Sequence, residues 1–151
     1  MPSKTRNFTG SEAKKLMQNA NTAALSTLTP PEKHPFVSLV TVAIDASGGP
    51  VVLISELAWH TKNLVQDNRA ALLFDNTHGL SDPLTGARVT AIGVFEKIDD
   101  PAVRKCFLSR HPDAAVYSDF SDFSFWRMEI EKVHAIAGFG RIETLDAREL
   151  T

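Results

Sequence analysis

The run Ser55-Glu56-Leu57-Ala58-Trp59-His60-Thr61-Lys62-Asn63-Leu64 gathers an imidazole, a hydroxyl and an ammonium at the mouth of a short helix. It follows an apolar strand, Val51 to Ile54. The first N–H groups of a helix lack intrahelical partners and carry the positive end of its dipole, so a hydroxyl and a lysine beside them complete an anion cradle. The chemistry on offer is capture of a phosphate, and with it an anionic cofactor. The same residues also fit an ordinary helix start with polar side chains in water. Ser38 and Thr41 on the preceding strand, and Ser55 at the end of the next, add hydroxyls near the cradle. Arg88 opens a later strand and either reaches the same anion or ends as a solvated cation. Trp59 either stacks on a ring system or packs in an interface.

Other chemistries find less support. The five histidines, His34, His60, His78, His111 and His134, are dispersed, and with a single cysteine and no HExxH pattern no metal site is expected. His111 and His134 fit core or hydrogen-bonding roles, with axial ligation of haem iron as the alternative. Gly138-Phe139-Gly140-Arg141 lacks the third glycine of a dinucleotide fingerprint, because Glu143 stands there. It reads instead as close backbone approach near a barrel closure, with Arg141 directed to a surface or partner. Cys106, beside Phe107, reads as a packed, unreactive thiol. No Gly-x-Ser-x-Gly elbow or triad occurs. Tyr117, Asp119 and Asp122 read as turn and capping residues.

The elements that must position these groups follow from periodicity. Thr9 and Glu12 form a capping-box pattern, and Ala13, Leu16, Met17 and Ala20 recur at helical spacing. Ala23 to Leu28 reads as a strand. Phe36 to Ile44 and Val51 to Ser55 read as a hairpin across the turn at residues 45–49. A helix starts near His60, and strands are predicted over Ala70 to Asp75 and Arg88 to Ile98, with Gly93 at a bulge or bend. Asp99-Asp100-Pro101 starts a further helix. Phe123 to Val133 extends again, and Ala135 to Ile142 is expected to pair beside it. These six or seven mostly antiparallel strands and three short helices predict a mainly β, closed or nearly closed barrel. Val51 to Ile54 is apolar on both faces and so requires cover on two sides, from a helix or a second subunit.

The 151 residues, 43% apolar and 23% charged, predict one domain over residues 1–151. A net charge of −2 gives no reason to expect nucleic acid. No signal-peptide core is seen near Met1, and no apolar run is long enough to span a bilayer. The lone cysteine fits a reducing cytoplasm.

Taken in order, Ala24-Leu25-Ser26-Thr27-Leu28, His60-Thr61-Lys62-Asn63-Leu64 and Asn68-Arg69-Ala70-Ala71-Leu72-Leu73-Phe74 resemble the pyridoxamine 5′-phosphate oxidase-like FMN-binding split-barrel family. Asp82-Pro83-Leu84, Arg88-Val89-Thr90, Phe107-Leu108-Ser109-Arg110-His111-Pro112, Asp122-Phe123-Ser124-Phe125 and Gly138-Phe139-Gly140 are similar to its haem-utilisation branch. The resemblance covers Ala23 to Arg141. It implies a six-stranded antiparallel Greek-key split barrel and a homodimer with FMN at the interface. Ser38, Leu39 and Val40 match the strand along the flavin, and Ser55 the strand end near its phosphate. His60, Thr61 and Lys62 match the phosphate-binding turn, and Arg88 a strand-start residue that approaches the cofactor. The substrate-gripping C-terminal segment of true pyridoxamine phosphate oxidases has no match here, and Asn68 replaces the proline usual before the arginine–alanine run. The expectation is therefore a cytoplasmic FMN-dependent oxidoreductase acting on a small molecule, without vitamin-B6 oxidase activity and with no catalytic residue assigned. The alternatives are a haem-binding or haem-degrading protein and a non-catalytic flavin-binding module.

Overall fold

In the computed structural model, which describes residues 8–138 and 140–150, the helices begin where their caps require. Phe139 and the N-terminal residues read for targeting lie outside the described residues. Helix α1 (Gly10–Asn19) starts after Thr9, whose Oγ1 accepts the Glu12 N–H at 3.1 Å, and it buries Ala13 and Met17. Helix α2 (Trp59–Gln66) follows Ala58, which has no side-chain oxygen for the exposed N–H groups. Helix α3 (Pro101–Arg110) has Asp100 as its cap, accepting the Ala102 N–H at 2.9 Å, and proline at the first turn.

The strands are β1 (Thr22–Leu28), β2 (Pro35–Thr41), β3 (Ala43–Ile44), β4 (Pro50–Ser55), β5 (Arg69–Asn76), β6 (Ala87–Ile98), β7 (Phe123–Ala137) and β8 (Ile142–Asp146). They form one antiparallel sheet in the order β2-β1-β5-β6-β7-β4-β3, with β8 paired to the second half of β7. The sheet curls around a core that includes Leu25, Leu72, Phe74, Val89, Phe95 and Met128. β2 and β4 come close without a ladder among the described residues, so the barrel is split. The mainly β split barrel expected from the sequence is found, with eight strands rather than six.

Two pairings differ from expectation. The residues read as one hairpin arm divide at Val42: β2 pairs with β1 (Leu25 opposite Ser38), and only Ala43 and Ile44 pair with β4. The 45–49 turn itself forms, held by Asp45 Oδ1, which accepts the Ser47 and Gly49 N–H groups at 3.0 Å each. At the other end, residues 135–137 continue β7, and the chain reverses at Gly138 and Gly140 (φ 92° and 81°) to form β8. A Cβ on Gly138 would sit 3.0 Å from the Thr85 carbonyl, which is the close backbone approach expected there.

β4 is buried on both faces, as are Phe125 and Trp126 beside it on β7. Val52 and Trp126 join the barrel core, while Val51, Leu53 and Phe125 pack outward against Val103 and Phe107 of α3. The cover that the apolar run requires is therefore a helix of the same chain. The other outer face, over β2, β1, β5, β6 and β8, has no such helix among the described residues. Leu39 is 75% exposed there and Val37 64%, with Leu73 and Ile142 also exposed.

The β6–β7 ladder shifts register between Ile92 and Gly93, where Glu131 is the extra residue. Before it, even-numbered β7 residues (Trp126, Met128) face the core; beyond it, odd-numbered ones do (Val133, Ala135). A Cβ on Gly93 would collide with the Glu129 carbonyl, so the bulge requires glycine. Phe107→Ala, which removes a fully buried ring from the α3 cluster, should cost about 3–5 kcal/mol in urea unfolding. A loss under 1 kcal/mol would show that α3 is not an integral layer.

Candidate functional site

Successive helical residues point about 100° apart, and that spacing divides the cradle. On one flank of α2, His60 and Asn63 turn toward the sheet. His60 Nδ1 lies 3.0 Å from Ser38 Oγ on β2, and Asn63 Nδ2 donates to Thr27 Oγ1 on β1 at 3.0 Å. Trp59 stands at the helix start with its ring 5.4 Å from Phe36 and is 64% exposed, an open aromatic shelf. On the opposite flank, Thr61 and Lys62 border a half-open cleft with Val65 and Gln66.

The other predicted residues are dispersed. Leu39 faces out from β2 and Val40 is buried in the core. Ser55 donates to Asp122 Oδ2 at 2.8 Å and accepts the Leu57 N–H at 3.1 Å, so it ties the turn together. Arg88 donates from one nitrogen to the Leu84 carbonyl at 2.9 Å and the Gly86 carbonyl at 3.3 Å. It lies on the outer face, three strands from Ser38 in the sheet order. Ser38 and His60 are thus brought together, Thr61 and Lys62 form a second group, and Arg88 belongs to a third region.

That third region contains His134, whose importance the sequence left open. On the far side of the bulge its side chain faces out, beside Thr90 of β6 and Thr144 of β8. Its Nδ1 lies 3.2 Å from Thr144 Oγ1, which orients the ring and leaves Nε2 free for another partner. Arg88 is two residues from Thr90 on the same face. His111 is committed elsewhere, with Nε2 2.8 Å from the Val42 carbonyl and its ring 4.8 Å from Phe107. Cys106 donates to the Ile44 carbonyl at 3.3 Å, and burial, with Asp45 nearby, pushes its thiol pKa up, as a packed thiol requires. Asp119 pairs with Arg104 at 2.6 Å. Among the described residues no group of three histidine, cysteine or acidic side chains could hold a metal ion.

A family model described as CREG, beta-barrel, matches residues 4–151. The chain belongs to this CREG β-barrel family. It is 40% identical over 111 residues to the chloroplastic non-canonical haem oxygenase HOZ of Arabidopsis thaliana, a match covering 71% of this chain and 33% of that one. The CREG-family chain therefore spans about a third of that curated relative. The solved structure of a haem-binding protein from Mycobacterium smegmatis superimposes with a TM-score of 0.88 at 32% identity, covering 98% of this chain and 61% of that one. A Clostridium acetobutylicum protein related to general stress protein 26, of the pyridoxinephosphate oxidase family, shares the fold at 14% identity. Its TM-score is 0.69, with 93% and 95% of the two chains covered. The split-barrel resemblance read from the sequence is borne out, with both haem-binding and oxidase-type neighbours. No helix is long and apolar enough to cross a membrane among the described residues.

Burial lowers the pKa of His60, so its imidazole is neutral near pH 7. Because the folded-state value lies below the unfolded one of about 6.5, the unfolded chain takes up this proton first as pH falls. The stability tied to His60 is complete above about pH 6.5 and declines below it. The His60 proton resonances should titrate below the usual histidine midpoint. His60→Asn should reduce the stability lost between about pH 7.5 and 5.5; a midpoint at or above the usual value would contradict the burial argument.

Proposed function

We propose that this CREG-family domain binds haem on the outer face of its sheet and takes part in haem degradation, with a second copy of the chain covering that face. The observation that carries this reading is the setting of His134. Its ring faces outward with Nδ1 held by Thr144, and Arg88 stands on the same face. A histidine oriented through one nitrogen offers the other to iron. Leu39, Leu73 and Ile142 are the exposed apolar groups a porphyrin face or a partner would cover, and the free N–H groups of Arg88 suit its carboxylates. Haem, when bound, supplies the oxygen-activating iron chemistry. The protein's part is to orient His134, anchor the carboxylates and exclude water. The relatives named as a haem oxygenase and a haem-binding protein support the same reading. The cytoplasmic, dimeric flavoprotein expected from the sequence belongs with these proposals.

One observation favours FMN as the second reading. Helix α2 opens at Ala58 without a capping side chain, and Ser38 and His60 meet beside it, so its first N–H groups are disposed to take a phosphate. In that case Trp59 and Phe36 flank the isoalloxazine, and the domain is an oxidoreductase or a flavin carrier.

Absorption spectra of the purified protein titrated with each cofactor separate these readings. Haem should give a saturable Soret band. Thr144→Val, which removes the partner of Nδ1, should weaken haem binding about tenfold or more, and His134→Ala should weaken it further. Uptake of FMN without a Soret band would transfer the proposal to the flavin. A Soret band unaffected by both variants would overturn the role of His134.

A further inference from the structure

A cleft of about 570 Å³ opens beside α1, away from both places proposed for a cofactor. Its walls are α1, the 45–49 turn, the last residues of β6, the stretch of β7 ahead of the bulge and the short turn Ala147–Leu150. Arg127 is fixed in that wall. Its Nη1 donates to Asp45 Oδ2 at 2.9 Å, and the other Asp45 oxygen accepts from Ser47 and Gly49. The aliphatic stem of Arg127 lies against Gly49, where a Cβ would stand 2.9 Å from both Cγ and Cδ. A carboxylate side chain only 5% exposed thus holds a guanidinium side chain that is itself 37% exposed. Arg127 makes no other hydrogen bond among the described residues, so its Nε and Nη2 are uncommitted. That pair of donors is a fork that takes a carboxylate through two parallel bonds.

The rest of the lining narrows the ligand. Glu96 is the cross-strand neighbour of Arg127, and Glu129 follows on the same face of β7. Both acids are exposed in the cleft, and among the described residues neither has an ion-pair partner, because Arg127 turns to Asp45 instead. Lys14 and Lys97 border the cleft as well, so neither sign prevails there. A ligand of one charge would be drawn by one set and repelled by the other, whereas a ligand carrying both gains from both. Cross-strand neighbours have Cβ atoms about 4.5–5.5 Å apart, so the two charges on the ligand must also be close. An α-amino acid meets that condition, with a single carbon between its ammonium and its carboxylate. Ile44, Ile130 and Leu150 are only partly buried and complete the lining, which suits an apolar side chain. The volume lies within the range of small-molecule sites. We infer that this cleft binds a free α-amino acid with an apolar side chain. Its carboxylate meets the open edge of Arg127, its ammonium Glu96 and Glu129, and its side chain the three aliphatic residues. The site is separate from the one proposed for haem, since Arg127 precedes the bulge in β7 and His134 lies beyond it.

Methyl spectra of the isotopically labelled protein titrated with L-leucine test this directly. The signals of Ile44, Ile130 and Leu150 should shift saturably, while that of Leu73 on the outer face stays in place. Arg127→Lys, which keeps the charge but loses the fork, should weaken binding about tenfold. Glu96→Gln combined with Glu129→Gln should do the same, and because both side chains are exposed the fold is retained. Glycine, N-acetyl-leucine and leucinamide lack in turn the apolar side chain, the ammonium and the carboxylate, and each should bind more weakly than leucine. The proposal is overturned if leucine gives no saturable shift, or if the shifts centre outside the cleft. It is equally overturned if any of the three analogues binds as well as leucine, or if the double glutamine variant binds as its parent does.

Discussion

The register shift opposite Gly93 is the constraint on which the rest of the molecule depends. A strand alternates its side chains strictly, so β7 could not otherwise present Trp126 and Met128 to the core in one half and Val133 and Ala135 in the other. Glu131 absorbs the change of phase, and Gly93 makes room for it because any Cβ would strike the Glu129 carbonyl. Without the extra residue, His134 and Ile136 would turn inward and Val133 outward. The bulge thus shapes the core and exposes a histidine in a single step.

From that step the two outer faces acquire different fates. The half of β7 before the bulge runs beside β4, and α3 seals the pair with Val103 and Phe107. The half beyond it runs beside β8, and no described element lies over Leu39, Leu73 or Ile142. A sheet face that exposes Leu73 and Ile142 near an oriented histidine and an arginine is suited to a flat, carboxylated, apolar ligand. Interior and exterior also divide the neighbourhood of α2, whose flanks face Ser38 on one side and Trp126 on the other. One short helix therefore borders two chemically separate places.

Much of this was legible in the chain itself, wherever the controlling physics is local. The Thr9 and Asp100 caps, the reversal at residues 45–49 and the apolar run before Ser55 each state their requirement within a few residues. Gly93 announced a bulge because glycine inside a strand implies backbone approach. The partner of β2 was not legible, since pairing with β1 rather than β4 depends on contacts distant in sequence. The Glu143 side chain turns in beside Ala135, a polar residue at an interior position that obscured β8. The outward turn of His134 was hidden for the same reason, because it depends on which residue of β7 the bulge leaves unpaired. The separation of His60 from Thr61 could have been read, because adjacent helical positions do not share a face. Trp126 gave no signal beyond its size.

In the proposed function the outer face around His134, and not the α3 face, receives the cofactor. Ferric haem added to isotopically labelled protein reports its own position by paramagnetic broadening of nearby signals. The signals of Leu73, Arg88, His134 and Ile142 should be lost early, while those of Val103 and Phe107 under α3 stay sharp. Broadening centred on α3, with the His134 and Leu73 signals unchanged, would contradict it.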